Sequence, residues 1–376
     1  MEFSGFKYIV VGAGFWGLTL AERLATIRKE KVLILEAKNH PGGNCYSYLD
    51  RETNIEVHQY GSHIFHTNND RVWNYINQFS GFNNYRHKVL TKYKNEVYSM
   101  PINLMTINQF YKKNLTPAEA KWLLQTEGSA AQIKVVQSFE DVIVSQIGYP
   151  LYEAFIKGYT VKQWDQDPKN LPAYIIKRLP VRYDYNLNYF DDRYQGIPGL
   201  GYGEIFNQML KRPGIEIRYN VDYFDIRDQL PREAIIFYSG PIDKYFDYCY
   251  GELSWRSLTF KEETVPLNDF QGTSVMNFAD MENPYTRCHE FRHYHPEIDF
   301  SNLTKTIIFY EKSKETKKGE VPYYPIGMKK DKEIYEKYKA KAQTLKNVYL
   351  GGRLGEYAYM DMHQVILKAL DLFAQI

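Results

Sequence analysis

A chain of 376 residues is long for one ordinary core and short for three independent ones, so two or three interleaved domains are the expectation. With 47 basic and 45 acidic side chains there is no global pull toward nucleic acid or an anionic membrane, and any anion must be held by local arginines. The three cysteines, Cys45, Cys249 and Cys288, are too widely spaced for a disulfide framework or a metal knuckle and fit a cytoplasmic protein, the first residues do not read as a secretion signal, and no run of about 18 apolar residues is present to span a membrane.

The apolar run Tyr8-Ile9-Val10-Val11 predicts a buried parallel strand. Gly12-Ala13-Gly14-Phe15-Trp16-Gly17 follows at once, and Leu20, Leu24 and Ile27 then recur at helical spacing. Residues 31–36 read as a second buried strand ending in Glu36. Strand, glycine loop, helix, strand and acid together make the dinucleotide-binding fingerprint. Gly12 permits the tight turn, Gly14 lets the backbone approach a pyrophosphate, and Gly17 lets the helix touch the strand. The helix start offers N–H groups to phosphate, and Glu36 can accept from both ribose hydroxyls. Six residues after Glu36, Gly42-Gly43-Asn44 resembles the extended FAD signature of glutathione-reductase-like flavoproteins. A second GxGxxG is lacking, which favours FAD as a held cofactor over NAD(P)H.

Residues 55–66 read as strand and end in two histidines, His63 and His66, with no third metal ligand beside them, so no metal is expected. Residues 106–165 are mostly helical, with Thr116-Pro117-Ala118-Glu119 as a helix start. Residues 174–182, 189–194 and 254–278 read as aromatic-rich strands and loops. A helix at 203–210, a strand at 215–221 and another at 234–238 return to the first domain. Residues 312–320 read as an exposed charged turn and 331–345 as a solvated, lysine-rich helix. A strand at 348–350, the Gly351-Gly352-Arg353 turn, Asp361 and a helix over 362–373 form the closing element of an FAD domain.

Seven stretches in order resemble prokaryotic UDP-galactopyranose mutase: Tyr60 to Thr67; Ile156-Lys157-Gly158-Tyr159-Thr160 with Lys162-Gln163-Trp164; Ile175 to Arg182; Tyr194 to Pro198; Pro284 to Arg287; Pro322-Tyr323-Tyr324-Pro325; and Gly352-Arg353 through Tyr357 to Gln364. The resemblance implies interconversion of UDP-galactopyranose and UDP-galactofuranose without net redox, with N5 of reduced FAD attacking the anomeric carbon and displacing UDP. It implies an α/β fold, with a Rossmann-like FAD-binding domain (residues 1–82, 200–240 and 340–376) interleaved with two others. These are a helical domain with a mobile loop (103–173) and an antiparallel β-sheet domain (83–102, 174–199 and 241–339).

Carried over by residue, Arg178 and Arg287 clamp the diphosphate, and His66 joins them as a catalytic candidate by the flavin. The cofactor set is Gly12, Gly14, Phe15, Gly17, Glu36, Gly43, Asn44, His63, Val221, Arg353, Asp361 and Met362. For substrate, Tyr159 stacks on uracil beside Phe155 and Thr160, Trp164 lines the sugar region, and Asn277 contacts the nucleotide. Tyr189, Tyr324 and Tyr359 donate phenols to the diphosphate, and Arg256 lies near it. The 34 tyrosines suit such a site as well as ordinary core filling. The family also implies an external reductant, NAD(P)H or a reductase, and a homodimer. Asp165 stands where the family usually has glycine, and Ala358 and Met360 flank Tyr359 where it tends to have Lys and Tyr. The same chemistry on UDP-N-acetylgalactosamine and an amine-oxidase-like FAD oxidoreductase are the alternatives.

Overall fold

The computed structural model describes residues 3, 5–173, 181–317 and 319–376. The chain divides into two compact units: one gathers Met1–Asn84, Asp192–Trp255 and Val321–Ile376, the other Tyr85–Asp191 and Arg256–Glu320.

The first unit is Rossmann-like. Its five-stranded sheet runs Val348–Leu350, Ile235–Tyr238, Tyr8–Val11, Val32–Glu36 and Ile215–Tyr219, with the paired neighbours parallel. Numbered along the chain, that is the doubly wound order 3-2-1-4-5, whose direction of winding reverses between Tyr8–Val11 and Ile235–Tyr238. The first two strands are buried throughout, as continuous apolar runs must be when both sheet faces are covered. The helix Phe15–Ile27 buries Leu18, Leu20 and Leu24 in a core shared with Ile366, Ala369 and Leu370 of the last helix, Met362–Gln375. The expected strand at 55–66 is broken into Glu56–His58 and Phe65–Thr67; Gly61 between them has φ +88°, outside strand geometry.

The second unit packs helices on a sheet. Helix Pro117–Ala130 begins with the expected capping box, Thr116 and Glu119 exchanging bonds with each other's backbone. Helix Phe139–Leu151 starts on a similar Ser138–Asp141 box, then passes through a π-helical turn, Tyr152–Lys157, into helix Gly158–Trp164. The sheet orders Trp255–Val265, Thr306–Glu315, Arg287–Glu290, Val275–Phe278, Val89–Tyr93 and Glu96–Met100. It is antiparallel except where Val275–Phe278 runs alongside Val89–Tyr93. Ile143, Val144, Leu151 and Phe155 of the helical segment share one core with Val89, Tyr98 and Val275 of the sheet.

Residues 312–315, expected in a turn, belong to strand Thr306–Glu315. Their charge hides a period-two pattern in which Glu311 and Ser313 point inward, buried, while Lys312 is exposed. Most of the strand expected at 174–182 lies outside the described residues. Among the described residues no helix is long and apolar enough to cross a membrane.

Candidate functional site

The glycine loop begins at the carboxyl end of Tyr8–Val11, where the winding reverses. Gly12 has φ +96°, and a Cβ there would fall 2.3 Å from Ser239 Oγ. Gly17 is as tightly held: its Cβ would sit 2.1 Å from Gly12 O and 2.7 Å from Val10 Cγ1. Gly14 differs, because a Cβ there meets nothing within 4 Å. It caps helix Phe15–Ile27, whose first turn has no acidic residue. The helix start therefore opens onto space that a phosphate can enter. Gly42 donates its N–H to Ala13 O at 2.7 Å, and a Cβ on Gly43 would be 3.5 Å from Gly14 Cα, so the second glycine pair lies against the first loop.

Glu36 is buried at the end of its strand. Its Oε2 accepts from Ala13 N at 2.7 Å and Oε1 from Lys38 N at 2.9 Å, which aims the carboxylate and leaves lone pairs for ribose hydroxyls. Val221 donates its N–H to Glu36 O at 3.0 Å. Asn44 Oδ1 lies 3.4 Å from Lys38 Nζ. Lys38 rests over the Tyr60 ring, and burial lowers its pKa, with Glu36 opposing. The Phe15 ring is buried edge-on against Phe206 and Tyr202, so it is the Phe15 backbone that faces the loop. These residues fit a dinucleotide diphosphate over Gly14 and its ribose at Glu36.

The closing element gathers a second group in the same unit. The Arg353 guanidinium lies 5.8 Å from the Tyr324 ring centroid and 5.2 Å from that of Tyr359, and the two rings stack 5.7 Å apart. Arg353 also donates to Tyr323 O and Met360 O, which fixes the backbone beside both tyrosines. Asp361 caps helix Met362–Gln375 in a box with Gln364, and Met362 packs onto the core. His63 Nδ1 bonds Gly61 O at 2.7 Å. His66 Nδ1 lies 2.5 Å from Asp192 Oδ2, and its ring meets that of His363 edge-on at 5.2 Å. His66 acquires partners that the sequence reading missed: ligand atoms of His66, Asp361 and His363 lie within 4.8 Å of one another. His66 Nδ1 faces Asp192, and Asp361 caps its helix.

On the second unit, Asn277 and Arg287 sit opposite each other on adjacent strands. The Arg287 guanidinium lies 6.0 Å from the Tyr159 ring centroid. Arg287 Nε lies 3.0 Å from Glu311 Oε1, and Glu311 also holds His289 Nε2 at 3.0 Å and the Thr286 hydroxyl at 3.2 Å. Burial by itself raises the Glu311 carboxyl, but Arg287, His289 and Thr286 overcome it and hold it at about 2. Glu311 is the orienting partner the sequence reading did not name; strand register, not sequence spacing, brings it to Arg287. Among the described residues, Asn277 Oδ1 is buried without a hydrogen-bond partner, as suits a group awaiting a ligand donor.

Arg256 is also buried, its Nε donating to Ser313 Oγ at 3.1 Å and Nη1 lying 3.8 Å from Asp165 Oδ2. Burial lowers its pKa while Asp165 and Glu315 oppose. Asp165 takes the left-handed C-cap after Trp164 at φ +54°, a conformation that glycine adopts most readily. Thr160 is buried on the same helix. Phe155 packs into the core among Tyr93, Tyr98 and Phe110, and Tyr189 stands against His87 and Phe190. Arg178 lies outside the described residues.

A family model described as UDP-galactopyranose mutase matches residues 154–359, and one described as an NAD(P)-binding Rossmann-like domain matches residues 10–79. The chain is 40% identical to the probable UDP-galactopyranose mutase of Klebsiella pneumoniae over 96% of this chain and 92% of that protein. It is 38% identical to the dTDP-fucopyranose mutase of Escherichia coli over 97% of each. A crystal structure of reduced UDP-galactopyranose mutase shares the fold with a TM-score of 0.73 at 16% identity, covering 98% of this chain and 93% of that one. The chain belongs to the UDP-galactopyranose mutase family.

Proposed function

We propose that this chain holds FAD on its Rossmann-like unit and, with the flavin reduced, interconverts UDP-galactopyranose and UDP-galactofuranose. The observation that carries the substrate half is the Arg287 guanidinium beside the Tyr159 ring, with Asn277 opposite it in register. A cation, an aromatic face and an amide suit diphosphate, base and base edge in turn. The open Gly14 and the carboxylate of Glu36 carry the cofactor half.

Reduced FAD, when bound, supplies N5 as the nucleophile toward the anomeric carbon. The chain's own residues deal with the leaving group. Arg287, oriented by Glu311, neutralises charge gathering on the diphosphate, and Arg178 and Arg256 are assigned the same task. Tyr189, Tyr324 and Tyr359 donate phenolic O–H groups to phosphate oxygens, with Arg353 keeping the last two stacked. Tyr159 stacks on the base, Trp164 lines the sugar, and Phe155 and Thr160 support that helix from within the fold. Asp361 and Met362 at their helix start, with His63 and His66, border the flavin. An external reductant and a homodimer complete the reading.

The match to a dTDP-fucopyranose mutase at nearly the same identity favours a second substrate, a thymidine-diphosphate deoxyhexose, over the N-acetylated sugar. Family membership speaks for a mutase against an amine oxidase. The test is anaerobic incubation of dithionite-reduced protein with UDP-galactofuranose and, separately, dTDP-fucofuranose, followed by chromatography of products. Conversion of the uridine sugar in the reduced state alone is expected. Faster conversion of the thymidine sugar would move the substrate, and oxidase activity with neither conversion would overturn the reading.

A further inference from the structure

Lys162 lies one turn after Gly158 on helix Gly158–Trp164, on the same face. A Cβ on Gly158 would fall 2.3 Å from Ala279 O, so the helix rests directly on the turn joining Val275–Phe278 to Arg287–Glu290. Into that turn Lys162 sends its ammonium. Nζ lies 2.8 Å from Phe278 O, 2.6 Å from Asp280 O, 3.0 Å from Asn283 O and 2.9 Å from Tyr285 O. An ammonium has three N–H groups and no acceptor, so four carbonyls share one cation and one N–H is divided between two of them. Burial pulls the Lys162 pKa down to about 8, with Asp280 opposing it. One half-buried cation thus serves a single turn.

That turn is bounded by Asn277, just before Phe278, and by Arg287, two residues after Tyr285. The helix carrying Lys162 also carries Tyr159, whose ring meets the Arg287 guanidinium. We propose that Lys162 is a positioning residue for nucleotide-sugar binding: its ammonium locks residues 278–285 onto the helix and so sets the spacing of Tyr159, Asn277 and Arg287. The inference rests on the functional reading above for what those three residues bind, and on the geometry alone for the lock. Gly158 belongs to the same device, since a side chain there would push the turn off the helix.

The test uses the full-length flavoprotein in two variants, Lys162→Gln and Gly158→Ala, so that a folding failure in one leaves the other. Hydrogen–deuterium exchange over residues 278–287 is measured beside UDP affinity by calorimetry, flavin absorbance and turnover. Both variants are expected to exchange faster in that segment and to bind UDP about tenfold more weakly, with flavin content retained. Lys162→Cys treated with 2-bromoethylamine regains an ammonium of similar reach and is expected to recover UDP affinity, with treated wild type as control. Unchanged exchange in the variants overturns the lock. Faster exchange with wild-type UDP affinity overturns the positioning role. Wild-type protein that binds no UDP removes the functional reading instead, and the exchange result still decides the lock.

Discussion

Glu311 shows what single residues contribute beyond their own chemistry. Its carboxyl is held at about 2, against an ordinary value of 4.5, so the charged form is favoured in the folded state. Stability from this source is present above the unfolded value and is lost as pH falls from about 4.5 toward 2. Glu311→Gln should lower stability at pH 7 by about 3 kcal/mol, with the gap to wild type closing in acid. Urea midpoints at pH 7 and pH 3 read this, and an equal gap at both values would remove the ion pair as the cause. Gly12, Gly14, Gly17 and Glu36 were legible in the sequence because their spacing lies on one short βαβ segment, although the atom that confines Gly12 is Ser239 Oγ from far along the chain. Glu311 and Lys162 were not, because the groups they serve arrive through pairing of distant strands. Family resemblance assigns Phe155 to the base side of the site, and in the fold its ring packs in the core.

At the scale of the element, the first helix carries the sharpest constraint. Gly17 has no room for a methyl group, since the obstacle at 2.1 Å is the Gly12 carbonyl, which is backbone and cannot rotate aside. Gly17→Ala must therefore lift the helix start from the strand and move the N–H groups that face Gly14. The expected outcome is loss of most bound flavin on purification with far-ultraviolet circular dichroism close to wild type; a flavin absorbance band of wild-type height would show that the contact relaxes elsewhere. The helices were legible from spacing and caps: Thr116 and Glu119 form the box that the sequence indicates. Strand Thr306–Glu315 was not, because its charges masked the alternation until Glu311 and Ser313 were seen to point inward.

At the scale of the molecule, interleaving was legible and sheet order was not. The sequence marked strands at 215–221, 234–238 and 348–350 as returns to the first domain, but not that Ile235–Tyr238 would pair with Tyr8–Val11 on the side opposite Val32–Glu36. A fragment of residues 1–84 contains two of the five strands and leaves both of their outer edges bare. It should show no cooperative melting and no flavin binding, checked by calorimetry and absorbance, although it holds the whole glycine fingerprint. Retention of flavin by that fragment would show that the fingerprint is self-sufficient. The strand order also sets a timetable. On a ribosome the glycine loop precedes the edge strand Val348–Leu350 by more than three hundred residues, on the order of half a minute of synthesis. For roughly the first two hundred of those residues, until Ile215–Tyr219 and Ile235–Tyr238 emerge, the Tyr8–Val11 and Val32–Glu36 pair must be shielded by something other than its native neighbours, an interval in which the nascent chain is exposed to aggregation.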